Sequence, residues 1–288
     1  MNRDDYVFLN GRFVSSARAS VSVYDRGLLY GDGLFETMRA YRGVVFALEE
    51  HLERLQGSAG VLGIPIPGYD WPKVLAALLR RNRLGSRDAW VRLTITRGPN
   101  EATLLPPPAP KPSAIIMTRA VDSAFRRIQQ RGVPVTLLPY SRHGFIPEHK
   151  SLNYLPGVVG KVLAARHGAH EGLFVRDGRF LTEGTTSSVF VVRKDALTTP
   201  PADGILPGVT RRRVLELAAV AGIRTTERDL TISNLRGADE AFLTSSVAEI
   251  VPIVQVDQAR IGTGRPGPVT RKLQRLYRRA VEQYRRRA

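Results

Sequence analysis

Two dipeptides constrain this chain most. Asn10-Gly11 stands between Val7-Phe8-Leu9 and Phe13-Val14, and Asp177-Gly178 stands between Gly172-Leu173-Phe174-Val175 and Phe180-Leu181-Thr182. Asn-Gly and Asp-Gly accept the left-handed backbone of a tight hairpin turn, so each predicts a pair of antiparallel strands. Helices with a 3.6-residue apolar period are interspersed with these hairpins. The mixture predicts α+β layers in two domains and argues against a doubly wound nucleotide-binding sheet.

Leu34 to Tyr41 reads as a strand that turns through Arg42-Gly43 into Val44-Val45-Phe46. Leu48, Leu52, Leu55, Ala59 and Leu62 share one face of a helix, and a second helix begins near Pro72. Val91 to Thr96 alternates as a strand, and Ala114 to Met117 is another. The stretch Leu105 to Pro112 between them is proline-rich and makes a stiff, exposed loop. Residues 121–132 leave the strand pattern and are taken as a linker between a smaller domain (1–120) and a larger one (133–288). The second domain restarts with a strand at Val133 to Leu138, a helix from Pro156 to His167, and a strand at Val189 to Val192. A helix over Val209 to Ala221, short strands at Phe242 to Thr244 and Ile250-Val251, and a helix over Leu273 to Tyr284 complete it.

Composition removes several chemistries. The 288 residues include no cysteine, which excludes disulfides, thiolate catalysis and cysteine metal sites. No apolar run reaches the ~20 residues of a membrane span, and no apolar signal core follows the charged start, so a cytoplasmic enzyme without a metal is expected. The net charge of +17 invites a nucleic-acid reading. The basic residues are mostly arginine and spread along the chain, with no zinc-finger spacing, aromatic stacking motif or basic-region heptads. An arginine-rich solvated surface, with no nucleic-acid partner, is the expectation.

A lysine that carries a carbonyl cofactor should sit partly buried on a loop or strand end. Lys73, Lys161 and Lys272 lie in helical patterns, Lys111 in the proline loop and Lys194 at a turn. Lys150 follows the strand at Val133 and precedes Ser151-Leu152-Asn153-Tyr154-Leu155, which makes it the best placed of the six. Thr182-Glu183-Gly184-Thr185-Thr186-Ser187-Ser188 joins two strands; it is either a site for a carboxylate beside a pyridine nitrogen or a turn whose hydroxyls bond their own backbone. Gly208-Val209-Thr210-Arg211 opens a helix and Thr244-Ser245-Ser246-Val247 opens a turn; such starts bind phosphate, and they also serve as ordinary caps.

Seven blocks resemble the class IV aminotransferases, the fold type IV superfamily of pyridoxal-phosphate enzymes. They are Asp25-Arg26-Gly27, Gly31 to Thr37, His51 to Leu55, Lys150 to Leu155, Thr182 to Gly184, Gly208 to Arg211 and Thr244 to Ile250, in family order. The resemblance implies a two-domain fold type IV architecture with the cofactor in the larger domain. It implies Lys150 as the Schiff-base lysine, Glu183 facing the pyridine nitrogen, Arg54 on the phosphate, and Tyr154 near the phenolic oxygen. Val209, Thr210, Ser246 and Val247 match the phosphate cup. Phe35, Thr37, Arg39, Arg26 and Arg97 are the candidates to contact substrate, with Arg39 preferred for its carboxylate, because the Arg-x-His segment of familiar D-amino-acid aminotransferases is absent. Ser188 replaces the asparagine of many relatives. The expected activity is amino transfer between a D-amino or branched-chain amino acid and a 2-oxo acid, in a homodimer that shares the segment Arg26 to Tyr30. The alternative is a 4-amino-4-deoxychorismate lyase releasing pyruvate, and a basic nucleic-acid-binding protein is a distant third.

Overall fold

The computed structural model describes residues 5–287, which form two compact units. The first holds the described residues up to Val121, together with His149–Asn153 and the residues from Tyr284 onward. Its elements are β1 (Tyr6–Leu9), β2 (Arg12–Ser15), α1 (Arg26–Tyr30), β3 (Gly33–Tyr41), β4 (Val44–Val45), α2 (Leu48–Leu62), α3 (Trp71–Arg81), β5 (Ala89–Thr96) and β6 (Ser113–Ala120). The strands make one antiparallel sheet in the order β2-β1-β6-β5-β3-β4. Asn10 and Gly11 have φ of 47° and 88°, as a two-residue hairpin turn requires, and Arg42 and Gly43 repeat the device at 49° and 86°.

Strand parity sorts the side chains of β3. Leu34, Met38 and Ala40 enter a core with Leu55 of α2, Leu75, Leu78 and Leu79 of α3, and Val91, Leu93 and Ile95 of β5. Glu36 has the same parity and is fully buried. Phe35, Thr37 and Arg39 take the opposite face, paired across to Thr94, Arg92 and Trp90 of β5.

The second unit contains α4 (Ala124–Arg131), β7 (Val133–Leu137), α5 (Phe145–Glu148), α6 (Leu155–Arg166), β8 (Glu171–Arg176), β9 (Phe180–Gly184), β10 (Ser188–Arg193) and β11 (Ala196–Thr199). It continues with α7 (Val209–Val220), β12 (Thr225–Glu227), β13 (Leu230–Thr231), α8 (Ile232–Arg236), β14 (Glu240–Ser245), β15 (Glu249–Val256), β16 (Ala259–Arg260) and most of α9 (Pro268–Arg287). The sheet runs β12-β11-β10-β14-β15-β7-β8-β9-β13, with β16 on β15. It is mixed: β7 lies parallel to both β15 and β8, while the other pairs near the site are antiparallel.

The structure departs from the sequence reading in several places. The Asp177-Gly178 hairpin closes on the pair Arg176–Phe180, so its loop has a third residue, Arg179. The strand expected at Ile250-Val251 extends over Glu249–Val256, because Pro252 interrupts the alternation without ending the strand. Most of the expected linker at 121–132 is α4, whose Gln129 side chain donates to Ala248 O at 2.8 Å. Lys150 belongs with the first unit, although β7, the strand that precedes it in sequence, belongs to the second.

Glu240 of β14 caps α9. Its carboxylate accepts from Val269 N (2.9 Å), Thr270 N (2.8 Å) and Thr270 Oγ1 (2.6 Å). Glu240→Ala leaves those buried donors without an acceptor and should cost about 1–3 kcal/mol. Urea unfolding should show the midpoint falling accordingly; an unchanged midpoint would contradict this role for the cap.

Candidate active site

Lys150 is positioned by a short antiparallel bridge. Ser151 pairs with Leu34 at the start of β3. Phe35 N donates to Lys150 O and Leu152 N donates to Gly33 O, both at 2.9 Å. The bridge sets Lys150 over the buried ring of Phe35, with Nζ 4.4 Å from the ring centroid. The backbones approach closely here: a Cβ on Gly31, where φ is +65°, would meet Asn153 Oδ1 at 2.8 Å. The next residue upstream, His149, is buried with Nδ1 3.2 Å from Ser58 Oγ of α2.

Behind β3, on its core face, lies a buried charge cluster. Arg54 donates from Nε to Glu36 Oε1 at 2.8 Å and from Nη2 to Oε2 at 2.6 Å. His51 Nδ1 lies 2.7 Å from Glu36 Oε2. Burial pushes the Glu36 carboxyl up, but the charge of Arg54 and the hydrogen bonds from Arg54 and His51 prevail and hold it at about 2. Burial pushes His51 down, aided by the Arg54 and Lys150 charges and only partly opposed by Glu36. At neutral pH His51 is therefore a neutral imidazole donating Nδ1–H to Glu36. Helix periodicity shows His51 and Arg54 on one face of α2, three residues apart; the acid that holds them could be suspected only from its core parity in β3.

The three arginines expected near substrate are all engaged elsewhere. Arg39 donates to Asp88 at 2.8 Å and lies over the Tyr41 ring. Arg26 and Arg97 each donate through Nε to Asp32 Oδ2, at 2.7 and 2.8 Å. Arg26 also donates to Thr103 O and Leu104 O, and Arg97 to Leu62 O and Gly63 O at the end of α2. Burial raises Asp32, but the two arginines outweigh it and hold the carboxyl below its ordinary value. The expected solvated arginine surface is thus incomplete, since Arg26, Arg39, Arg97 and Arg211 are all buried. The arginine that shares the Phe35 ring with Lys150 is Arg92, which the sequence reading did not select. It is half-buried, lies opposite Thr37 in the register, and sets its guanidinium 3.7 Å from the centroid of the same Phe35 ring.

In the second unit, Glu183 is the penultimate residue of β9 and is 4% exposed. Its Oε1 lies 3.7 Å from Arg142 Nε, and the Arg142 guanidinium lies over the Tyr154 ring at 5.0 Å. Arg142 is a second site residue the sequence reading missed; it stands in an irregular loop with no periodic signal. Tyr154 donates its phenol to Thr185 O at 2.8 Å. Burial pushes that phenol above its ordinary value, and Arg142 offsets this only in part.

Val209 and Thr210 form the buried first turn of α7, whose N-cap Gly208 has no side chain to cap it. A Cβ at Gly208 would sit 2.9 Å from Ser188 Oγ. Ser188 pairs with Thr244 across β10 and β14, so their side chains share a face. Thr244 Oγ1 is buried without a hydrogen-bond partner among the described residues. A buried helix start without a side-chain cap, with the spare hydroxyl of Thr244 in the same unit, fits a phosphate. Ser246 and Val247 lie in the half-buried turn from β14 to β15, which Glu249 closes with φ of 60°.

The family model for amino-transferase class IV matches residues 33–256, and the chain belongs to that family. It is 40% identical over 274 residues to a Methanocaldococcus jannaschii protein named as a branched-chain-amino-acid aminotransferase, covering 94% of each chain. It is 34% identical over 271 residues to the D-alanine aminotransferase of Bacillus licheniformis, covering 93% of this chain and 94% of the other. A solved T.th. branched-chain amino acid aminotransferase with pyridoxamine 5'-phosphate superimposes with a TM-score of 0.88 at 29% identity, covering 98% of this chain and 95% of the other. The resemblance drawn from the motifs holds, the two-sheet α+β fold is that of fold type IV, and transaminase is favoured over lyase.

Both members of the buried pair in the first unit have a folded pKa below the unfolded one. Their stabilisation is therefore present above the unfolded value and is lost as pH falls. For His51 the loss begins near pH 6.5, and for Glu36 it runs from 4.5 towards about 2. His51→Gln should flatten the upper limb of a stability-versus-pH curve and leave the lower one. An unchanged upper limb in chemical denaturation would show that His51 is not held neutral.

Proposed function

We propose that this transaminase binds pyridoxal 5'-phosphate through Lys150 and moves an amino group between an amino acid and a 2-oxo acid. The donor is a branched-chain or small D-amino acid, as the names of its relatives suggest. The observation that carries the reading is the bridge to β3, which fixes Lys150 on the Phe35 ring.

Pyridoxal phosphate, when bound, supplies an aldehyde for the amino group and a ring that draws electrons from the substrate α-carbon. Lys150 Nζ would hold the group, and as the free base it would take the proton from the donor's α-carbon and give one to the α-carbon of the acceptor 2-oxo acid. Glu183, with Arg142 Nε 3.7 Å from its Oε1, would hold a proton on the pyridine nitrogen. Tyr154 faces the phenolic oxygen. Arg54, steadied by Glu36, binds phosphate, as do the first turn of α7 at Val209 and Thr210, the turn at Ser246 and Val247, and the spare hydroxyl of Thr244.

Arg92 is the substrate-carboxylate residue in this proposal, in place of Arg39. It shares the Phe35 ring with Lys150, and Phe35 and Thr37 line the same strand face. Arg39 is instead a strut to Asp88. The working form is a cytoplasmic homodimer in which the segment from Arg26 to Tyr30 is shared. Two apolar surfaces of the chain support a dimer: Val23, Tyr24, Leu28 and Leu29 around α1, and Leu155, Val158, Val159 and Val162 along α6. Among the described residues no helix is long and apolar enough to cross a membrane.

Borohydride treatment of the purified protein should leave one phosphopyridoxyl group, on the peptide that contains Lys150; a label on another lysine would overturn the assignment. Glu183→Gln should retain the group yet turn over at least about tenfold more slowly, because an amide cannot hold the ring nitrogen protonated. Arg92→Met should lower kcat/KM for amino acids at least about tenfold while sparing a primary amine that lacks a carboxylate, and Arg39→Met should not discriminate between them. The reverse pattern would return the carboxylate to Arg39.

A further inference from the structure

Thr185, Thr186 and Ser187 are three consecutive hydroxyl residues with no part in the chemistry above. Such residues commonly bond their own backbone in a turn. Here all three side chains reach one carboxylate, that of Glu171 at the start of β8. Thr185 Oγ1 donates to Oε1, which also accepts from Gly172 N at 3.1 Å. Thr186 Oγ1 and Ser187 Oγ donate to Oε2, at 3.1 and 3.3 Å. Lys161 Nζ, on α6, stands 3.3 Å from Oε1. Glu171 is only 2% exposed, and a carboxylate buried so deeply persists only where donors and a countercharge replace water.

The same turn is tied to both neighbouring site groups. Its backbone closes through Gly184 N to Ser187 O (2.6 Å) and Thr185 N to Gly172 O (3.1 Å). The residue before Gly184 is Glu183, and the residue after Ser187 is Ser188, whose hydroxyl sits at the start of α7. Thr185 O accepts the phenol of Tyr154. The hydrogen bonds of Glu171 run to the turn, and its charge adds to the upward push on the Tyr154 phenol.

We propose that Glu171 is a positioning residue: by gathering the hydroxyls of Thr185, Thr186 and Ser187 it fixes the turn that aims Glu183 and receives Tyr154. The proposal rests on the reading of Glu183 and Tyr154 as cofactor contacts. Side-chain hydroxyls alone would hold such a turn loosely, since each could rotate back to its own backbone. The shared acceptor makes the three bonds mutually dependent and denies them that alternative.

The test uses Glu171→Gln, Thr185→Val and Thr185→Ser in the full chain. Glutamine keeps the shape but turns an amide donor towards donors, valine is isosteric without the hydroxyl, and serine restores it. In cofactor-free protein, the first two should speed amide hydrogen exchange at Gly184 and Thr185 at least about tenfold while leaving Tm near that of the parent. In the loaded protein they should lower kcat at least about tenfold, keep KM within about twofold, and move the pH midpoint of the cofactor absorbance. Thr185→Ser should return both exchange and kcat to near the parent values. Parent-like exchange and parent-like titration in Glu171→Gln, with Glu183→Gln impaired, would overturn the positioning role. So would a loss that tracks Tm and is not rescued by serine. Normal turnover in Glu183→Gln together with fast exchange in Glu171→Gln would instead locate the failure in the role given to Glu183.

Discussion

Two backbone hydrogen bonds, from Phe35 N to Lys150 O and from Leu152 N to Gly33 O, are what the placement of Lys150 depends on. They attach a five-residue segment to the edge of a sheet built from residues far earlier in the chain. The pairing fixes a register, and register decides which way each side chain faces. A slip of one residue would turn Lys150 away from Phe35. Gly33 enforces the register sterically, because a Cβ there would meet Ile95 O and Leu152 Cδ1 at 2.7 Å. The ring of Phe35 then serves two cations, Lys150 and Arg92, and gives the strand face a positive character suited to an acid substrate.

Charge inside the protein is arranged in pairs, and arginine is the usual cation. Arg54 pairs with Glu36, Arg26 and Arg97 with Asp32, Arg39 with Asp88, Arg142 with Glu183 and Arg211 with Glu227, and the Arg97, Arg39 and Arg142 pairs join elements distant in sequence. A guanidinium suits this work because its planar fork stays charged when buried and bonds carboxylates at two points. Losing one partner would strand the other in a poorly solvated place, so these pairs act more as determinants of geometry than as sources of net stability. The net charge of +17 therefore reflects, in part, an internal use of arginine as well as a basic surface.

The parts of the fold that follow from local rules were legible in the sequence. Asn10-Gly11 turned as its composition requires, α2 and α7 lie where the apolar period puts them, and Glu183 lies in β9 just before the turn to β10. What escaped depends on partners brought together by the tertiary fold. Lys150 follows β7 in sequence but is held by β3, and no periodicity reports a pairing over such a separation. Arg92 looked like any alternating strand residue until its register opposite Thr37 was known. The threonine and serine run after Glu183 reads as a self-satisfied turn, whereas its acceptor lies at the start of another strand. Arg39, Arg26 and Arg97 were attractive because the family pattern and residue type suggested a cation; their engagement with Asp88 and Asp32 could not be seen from either.

The central claim is that Lys150, held on β3, is the group that moves the substrate proton. The most direct measurement is a single half-reaction. Cofactor-loaded protein is mixed with one equivalent of D-alanine or L-leucine, and loss of the α-hydrogen is followed by exchange with deuterated solvent alongside formation of the 2-oxo acid. The account predicts stoichiometric 2-oxo acid and rapid α-exchange with at least one enantiomer, and the loss of both in Lys150→Ala reconstituted with the cofactor. Undiminished α-exchange in that variant would contradict it.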